Sequence, residues 1–181
     1  MKDLTEHYVS GGLVFDGSLL KVHRDTVRLP DGTQGMREYI RHPGAVAIVA
    51  LFDDGSVLLE RQFRYPHKRD FIEVPAGKLE PGEPPLATGK RELLEETGYV
   101  AEEWQPLGVI HTAIAYTDEA IHLFLAKKLT KSEAKLDAGE FLETFRVPYD
   151  EALGMIRQGR ISDCKTVAAL LWLRVFFTQR G

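Results

Sequence analysis

Apolar and polar positions along the chain change period several times, and each change marks a different element. Residues 12–15 (GLVF) and 19–22 (LLKV) are apolar-rich and flank Asp16-Gly17, a dipeptide that accepts the positive φ of a tight hairpin turn. A second turn, Pro30-Asp31-Gly32, leads into residues 36–41, where polar and apolar side chains mix. These opening strands carry few large residues for a core of their own. Residues 45–52 (AVAIVALF) are apolar on both faces, as a central strand must be. Asp53-Asp54-Gly55 turns the chain into a return strand over 57–63, and a short strand over 71–74 ends at Pro75, which cannot donate to a ladder.

Residues 77–83 read as a loop. Pro84-Pro85 then sits where a helix start tolerates proline, and the spacing predicts a helix to Thr97 with Gly98 as its stop. Further strands are expected over 104–112, 121–126 and 142–147, with a polar loop over 130–140. Two closing helices are expected over 149–158, ended by Gly159, and over 163–178, with Ser162 as cap. Strands first, one helix in the middle and helices last indicate an α/β sandwich: a β arm over 1–42 and a main domain over 43–181. The arm is expected to lean on the main body or on a second subunit.

Composition narrows the function classes. Lys and Arg number 23 against 27 Asp and Glu, giving a net charge of −4, whereas a duplex-binding protein needs a basic excess. Nucleic acid is therefore not the expected partner. The apolar run over 45–52 is too short to cross a bilayer, and residues 1–10 lack the apolar core of a secretion signal. Cys164 is the one cysteine, so no internal disulfide can form and a reducing cytoplasm is expected; the thiol itself reads as helix packing.

The chemistry concentrates in residues 77–99, GKLEPGEPPLATGKRELLEETGY. On a helix, Glu92 and Glu96 lie about 40° apart and Glu95 about 60° to the other side of Glu92. Three carboxylates so placed repel one another, at a few tenths of a kcal/mol per pair. Arg91, four residues before Glu95, relieves part of this. A hard divalent cation with oxygen ligands relieves far more. A solvated acidic helix face is the alternative reading of the three glutamates alone.

The full spacing, Gly77, Glu83, Arg91-Glu92-Leu93, Glu95-Glu96 and Gly98-Tyr99, resembles the 23-residue box of the Nudix hydrolases. That resemblance implies a Nudix-type α/β/α sandwich with a mixed sheet and an N-terminal antiparallel β arm. It implies Mg²⁺ or Mn²⁺ held by Glu92 and Glu96 with Glu95 as a further ligand, and Ala76 contributing its carbonyl. Arg91 is then expected to orient the carboxylates and Glu83 to support them. Where the family usually has two alanines, this chain has Thr88-Gly89, which suggests close packing at Gly89.

Arg37-Glu38, His42-Pro43-Gly44-Ala45-Val46, Arg61-Gln62-Phe63-Arg64-Tyr65 and Glu73-Val74-Pro75-Ala76-Gly77 are similar to the ADP-ribose pyrophosphatase branch. So are Asp118-Glu119 and Gly159-Arg160-Ile161. Members of that branch are homodimers that cleave ADP-ribose to AMP and ribose 5-phosphate. The resemblance implies substrate contacts from Arg64 and Arg41, and a loop glutamate as general base. Glu140 stands at about the right place, and Glu143 competes for the role. Ile114 replaces a proline often found in the branch, so another nucleoside diphosphate sugar or a dinucleotide is the rival substrate. A non-catalytic nucleotide-binding module is the rival of another class. Trp104, Tyr116 and Phe63 read as core aromatics rather than base-stacking platforms.

Overall fold

The computed structural model describes residues 1–133 and 141–178, which sort into two compact units: Met1–Pro43 with His111–Glu119, and Gly44–Ile110 with Ala120–Gly181. In the first unit, β1 (His7–Asp16), β2 (Lys21–Arg28) and β3 (Gln34–Arg41) form an antiparallel sheet in that order. Both expected turns are present. Gly17 N–H donates to the Leu20 carbonyl at 2.9 Å, and the Asp31 carboxylate accepts from the Thr33 N–H at 2.9 Å. Val27 is the buried hydrophobic residue among the described residues of this unit, while Tyr8, Leu13, Val14, Phe15, Leu20 and Met36 are exposed.

The second unit is built around β4 (Ala45–Ala50), every residue of which is buried. Its odd positions, Ala45, Ala47 and Val49, face one core with Ala152, Met155, Leu170 and Leu173. Its even positions, Val46, Ile48 and Ala50, face a second core with Leu93 and Phe124. A strand with helices on both faces must be apolar on both, which is why residues 45–50 show no alternation.

The helices that supply those faces are α1 (Pro85–Thr97) on one side and α2 (Tyr149–Arg157) and α3 (Cys164–Thr178) on the other. The strands are β5 (Ser56–Arg64), β6 (Arg69–Glu73), β7 (Ala76–Lys78), β8 (Tyr99–His111), β9 (Ala120–Lys131) and β10 (Leu142–Pro148). One sheet runs β7-β4-β9-β8, with β4 parallel to β9 and antiparallel to β7; the other runs β10-β5-β6. The sheet is mixed and three-helical, as expected.

Four local expectations are corrected. Residues 77 and 78, expected at the start of a loop, belong with Ala76 to an edge strand, because Ala76, Gly77 and Lys78 pair with Ala47, Val46 and Ala45. The cap of α3 is Asp163 rather than Ser162: its carboxylate accepts from the Thr166 N–H at 3.0 Å and the Thr166 hydroxyl at 2.6 Å. Cys164 is exposed at the first turn of α3 instead of packed. Phe63 and Tyr116 are exposed, whereas Trp104 packs edge-on against Phe124 in the core.

Candidate active site

Helix α1 turns Gly89, Leu93 and Glu96 inward, at spacings of four and three residues that keep them on one face. Leu93 is fully buried. Gly89 lets the helix approach the sheet: a Cβ there would stand 3.3 Å from the Trp104 ring and 3.7 Å from Phe124. A Gly89→Leu substitution overpacks this contact and is expected to cost about 1–3 kcal/mol, read as a lower urea midpoint. The helix begins at Pro85, whose missing N–H needs no cap, and ends at Gly98 in the left-handed conformation with φ 67°.

This packing carries the acidic residues to the edge strand β7. Glu96, 5% exposed, accepts the Ala76 N–H on Oε2 at 3.0 Å. On an antiparallel strand the N–H and C=O of one residue point to the same side. Pro75 turns its carbonyl to Ile48 of β4, so Ala76 turns both of its polar groups to the outer edge. Gly77 is required next door, because a Cβ there would overlap the Glu92 carboxylate.

Arg91 ties the acidic side chains together. Its Nε and Nη2 donate to Glu83 at 3.2 and 3.0 Å, and its Nη1 donates to Glu92 at 2.9 Å and Glu95 at 3.0 Å. Nη2 also reaches the Lys78 carbonyl at 3.3 Å. One guanidinium therefore bridges the loop, the helix and β7. The hydrogen bonds from Arg91, with help from Thr88, hold the Glu83 carboxyl at about 2, and the same contact with Glu83 raises Arg91 above its ordinary value.

Glu83 stabilises the fold fully above its ordinary value of 4.5, and this contribution fades as pH falls through about 2. Glu83→Gln is expected to flatten the acid-unfolding curve over that window and leave the curve near neutrality parallel to wild type.

The donor set fits a hard divalent cation: carboxylate oxygens from Glu92, Glu95 and Glu96 and the outward carbonyl of Ala76, with no sulfur or imidazole among them. The space that glycine at position 77 leaves for the Glu92 carboxylate is the structural sign of this fit. Among the described residues no three acidic, histidine or cysteine side chains already converge at metal-binding distance; Glu92 and Glu95 are turned onto Arg91.

Other expected site residues lie elsewhere. Arg64, at the end of β5, pairs with Glu73 of β6 through two hydrogen bonds of 2.7 Å. Arg41 belongs to the first unit, where it pairs with Asp118 at 2.8 Å and lies 5.3 Å from the Tyr39 ring centroid. Glu140 lies outside the described residues. Glu143 sits on β10, exposed, and accepts from Arg61 at 2.8 Å. A cleft of about 380 Å³ is lined by Arg61, Phe63, Asp70, Phe141, Leu142 and Glu143.

The sequence assigned no role to Glu73 and none to Lys165, although Glu73 is buried and pairs with Lys165, whose side chain is mostly covered. The available signal was a charged residue inside the apolar segment Phe71-Ile72-Glu73-Val74, which must find a partner if the strand is interior.

Comparison with known proteins identifies the family. The family model described as NUDIX domain matches residues 41–170. The ADP-ribose pyrophosphatase of Bacillus subtilis (strain 168) is 39% identical over 177 residues, covering 97% of this chain and 96% of that protein. The methanol dehydrogenase activator of Bacillus methanolicus is 43% identical over 164 residues, covering 90% and 89%. A crystal structure of an ADP compounds hydrolase superposes with a TM-score of 0.88 at 21% identity, covering 100% of this chain and 99% of that one. The chain belongs to the Nudix family.

Proposed function

We propose that the protein is a divalent-metal-dependent pyrophosphohydrolase that cleaves ADP-ribose to AMP and ribose 5-phosphate. The observation that carries this reading is the pairing of Glu92 and Glu95 with Arg91 and of Glu96 with the Ala76 N–H, along one helix beside the outward edge of β7. The relative that shares 39% identity over nearly the whole chain supports the choice of substrate. Mg²⁺ or Mn²⁺ is the proposed ion, held by Glu92, Glu95, Glu96 and the Ala76 carbonyl; when bound, it polarises the diphosphate and acidifies a water molecule.

The chain's own residues do the rest. Arg91 orients the Glu92 and Glu95 carboxylates, and Glu83 keeps Arg91 in place. Arg64 offers a cation to the diphosphate, and arginine suits phosphate oxygens because its donors are fixed in a plane. Arg41 is a second proposed contact. Glu140 is the proposed general base that takes the proton of the attacking water, and Glu143 is the competitor if Glu140→Gln retains full turnover. The water oxygen bonds to one phosphorus as the bridging P–O bond breaks, and the phosphate that leaves carries the bridging oxygen.

The substrate is tested by AMP release from ADP-ribose in equimolar competition with nucleoside diphosphate sugars and dinucleotides. Preference for ADP-ribose is the expected result. Preference for another member would retain the chemistry and discard the substrate. That second reading is favoured by one feature: Ile114, 82% exposed, stands where the branch often has proline.

The proposed assembly is a homodimer joined through the first unit. Tyr8, Leu13, Val14 and Phe15 expose apolar side chains along β1, a run of the kind that marks an interaction surface. Phe15→Glu is expected to halve the mass measured by light scattering, and an unchanged mass would exclude this surface. A cytoplasmic location is proposed from the lone thiol of Cys164. Among the described residues no helix is long and apolar enough to cross a membrane.

A further inference from the structure

Arg64 is braced in a way that a simple surface ion pair would not need. Its Nε and Nη2 fork onto both oxygens of Glu73, whose side chain is 2% exposed. Burial pushes the Glu73 carboxyl up, but Arg64 and Lys165 outweigh that and hold it below its ordinary value. The Lys165 ammonium, itself mostly buried, donates to Glu73 and to Asp163, the latter at 3.0 Å.

Lys165 sits in the first turn of α3, where the helix dipole disfavours a cation. Its placement therefore serves Glu73 rather than the helix. Asp163 also fixes Thr166, whose hydroxyl accepts the Val74 N–H at 3.0 Å. The start of α3 is thus stitched to residues 73 and 74, just before Ala76 meets Glu96.

A guanidinium gripped along one edge by a buried, doubly paired carboxylate keeps a single plane. The side chain of Arg64 remains 41% exposed, and the pair with Glu73 uses Nε and Nη2 without Nη1. We propose that Glu73 and Lys165 are positioning residues that orient Arg64 for a diphosphate. This rests on the reading of Arg64 as a substrate contact in a pyrophosphohydrolase.

The test is a double-mutant cycle with Lys165→Met and Arg64→Ala. It is read as KM and kcat on ADP-ribose and as the Kd of inorganic diphosphate at saturating Mg²⁺. Lys165→Met is expected to raise KM and that Kd about tenfold with kcat little changed, the order seen when the support of a ligand-contacting group is lost. The double variant is expected to lose no more than Arg64→Ala alone, because Lys165 acts through Arg64. Lys165→Arg, which keeps the charge on Glu73, is expected to recover most of the loss.

Multiplicative losses in the double variant would overturn the proposal. So would a Lys165→Met protein with a lowered Tm and an unchanged diphosphate Kd. Lys165→Gln, which keeps a donor to Glu73, takes the place of Lys165→Met if the latter does not fold. Wild-type protein that binds diphosphate without turning over ADP-ribose would overturn the substrate reading alone, since the binding cycle needs no turnover.

Discussion

Replacing Glu96 by glutamine is expected to lower kcat on ADP-ribose by about 10³-fold, equivalent to about 4 kcal/mol of transition-state stabilisation at 1.36 kcal/mol per decade. The fold is expected to survive. Glu96 is nearly buried and its Oε2 accepts the Ala76 N–H at 3.0 Å. The amide oxygen of glutamine can accept the same hydrogen bond, so β7 keeps its tie to α1. What disappears is one negative charge from a helix face that already carries Glu92 and Glu95. Losing it relieves repulsion in the metal-free protein and removes a ligand from the metal-bound one.

The thermal readout separates these effects. Wild-type Tm is expected to rise with Mg²⁺ by mass action, and the Glu96→Gln Tm is expected to stay flat over the same titration. Wild-type turnover in this variant would remove Glu96 from the site.

Gly77→Ala is expected to produce the second-largest loss, about 10²-fold in kcat/KM, the order associated with misplacing a catalytic group by roughly 1 Å. Gly77 lies in β7 and is not among the glycines with positive φ, so alanine meets no backbone penalty there. The obstacle is the Glu92 carboxylate, which occupies the place of the missing Cβ. That group is the end of a flexible side chain and can swing away at little cost to the fold. A small change in Tm with a large loss of activity is therefore expected. Raised Mg²⁺ is expected to restore part of the rate, because the displaced Glu92 weakens metal affinity without abolishing it. A variant that loses stability but keeps its rate would show that Gly77 serves packing alone.

The two glycines of this region illustrate what the sequence could convey. Gly89 stood out because alanine is usual there, and its contact with Trp104 bears out the expected close packing. Gly77 was legible as a motif position, but its physical reason, room for a carboxylate from a helix fifteen residues on, needed coordinates. The central strand over 45–50 and the helix over 85–97 were legible because burial on both faces and proline-to-glycine punctuation leave unambiguous patterns. The strand over 76–78 was not: three residues are too few for a period, and pairing with Ala47 is a long-range event.

The ionic brace was hidden for the same reason. Lys165 follows Glu73 by 92 positions, and nothing in an apolar helix announces that its one early lysine is folded inward onto a strand. Arg91 was easier to assign, since it pairs with Glu95 within one turn. Its contacts to Glu83 and the Lys78 carbonyl extend that local pair across the loop and β7. Asp163 displaced Ser162 as the cap because its carboxylate answers both Thr166 and Lys165, a double role that a serine hydroxyl cannot fill.

Metal-dependent hydrolysis is tested most directly by the rate of AMP release from ADP-ribose by EDTA-treated wild-type protein across a Mg²⁺ titration. The expected result is no release without the ion and a saturable rise as it is added. A rate independent of the ion, or no AMP at any concentration of Mg²⁺ or Mn²⁺, would exclude a metal-dependent ADP-ribose pyrophosphohydrolase.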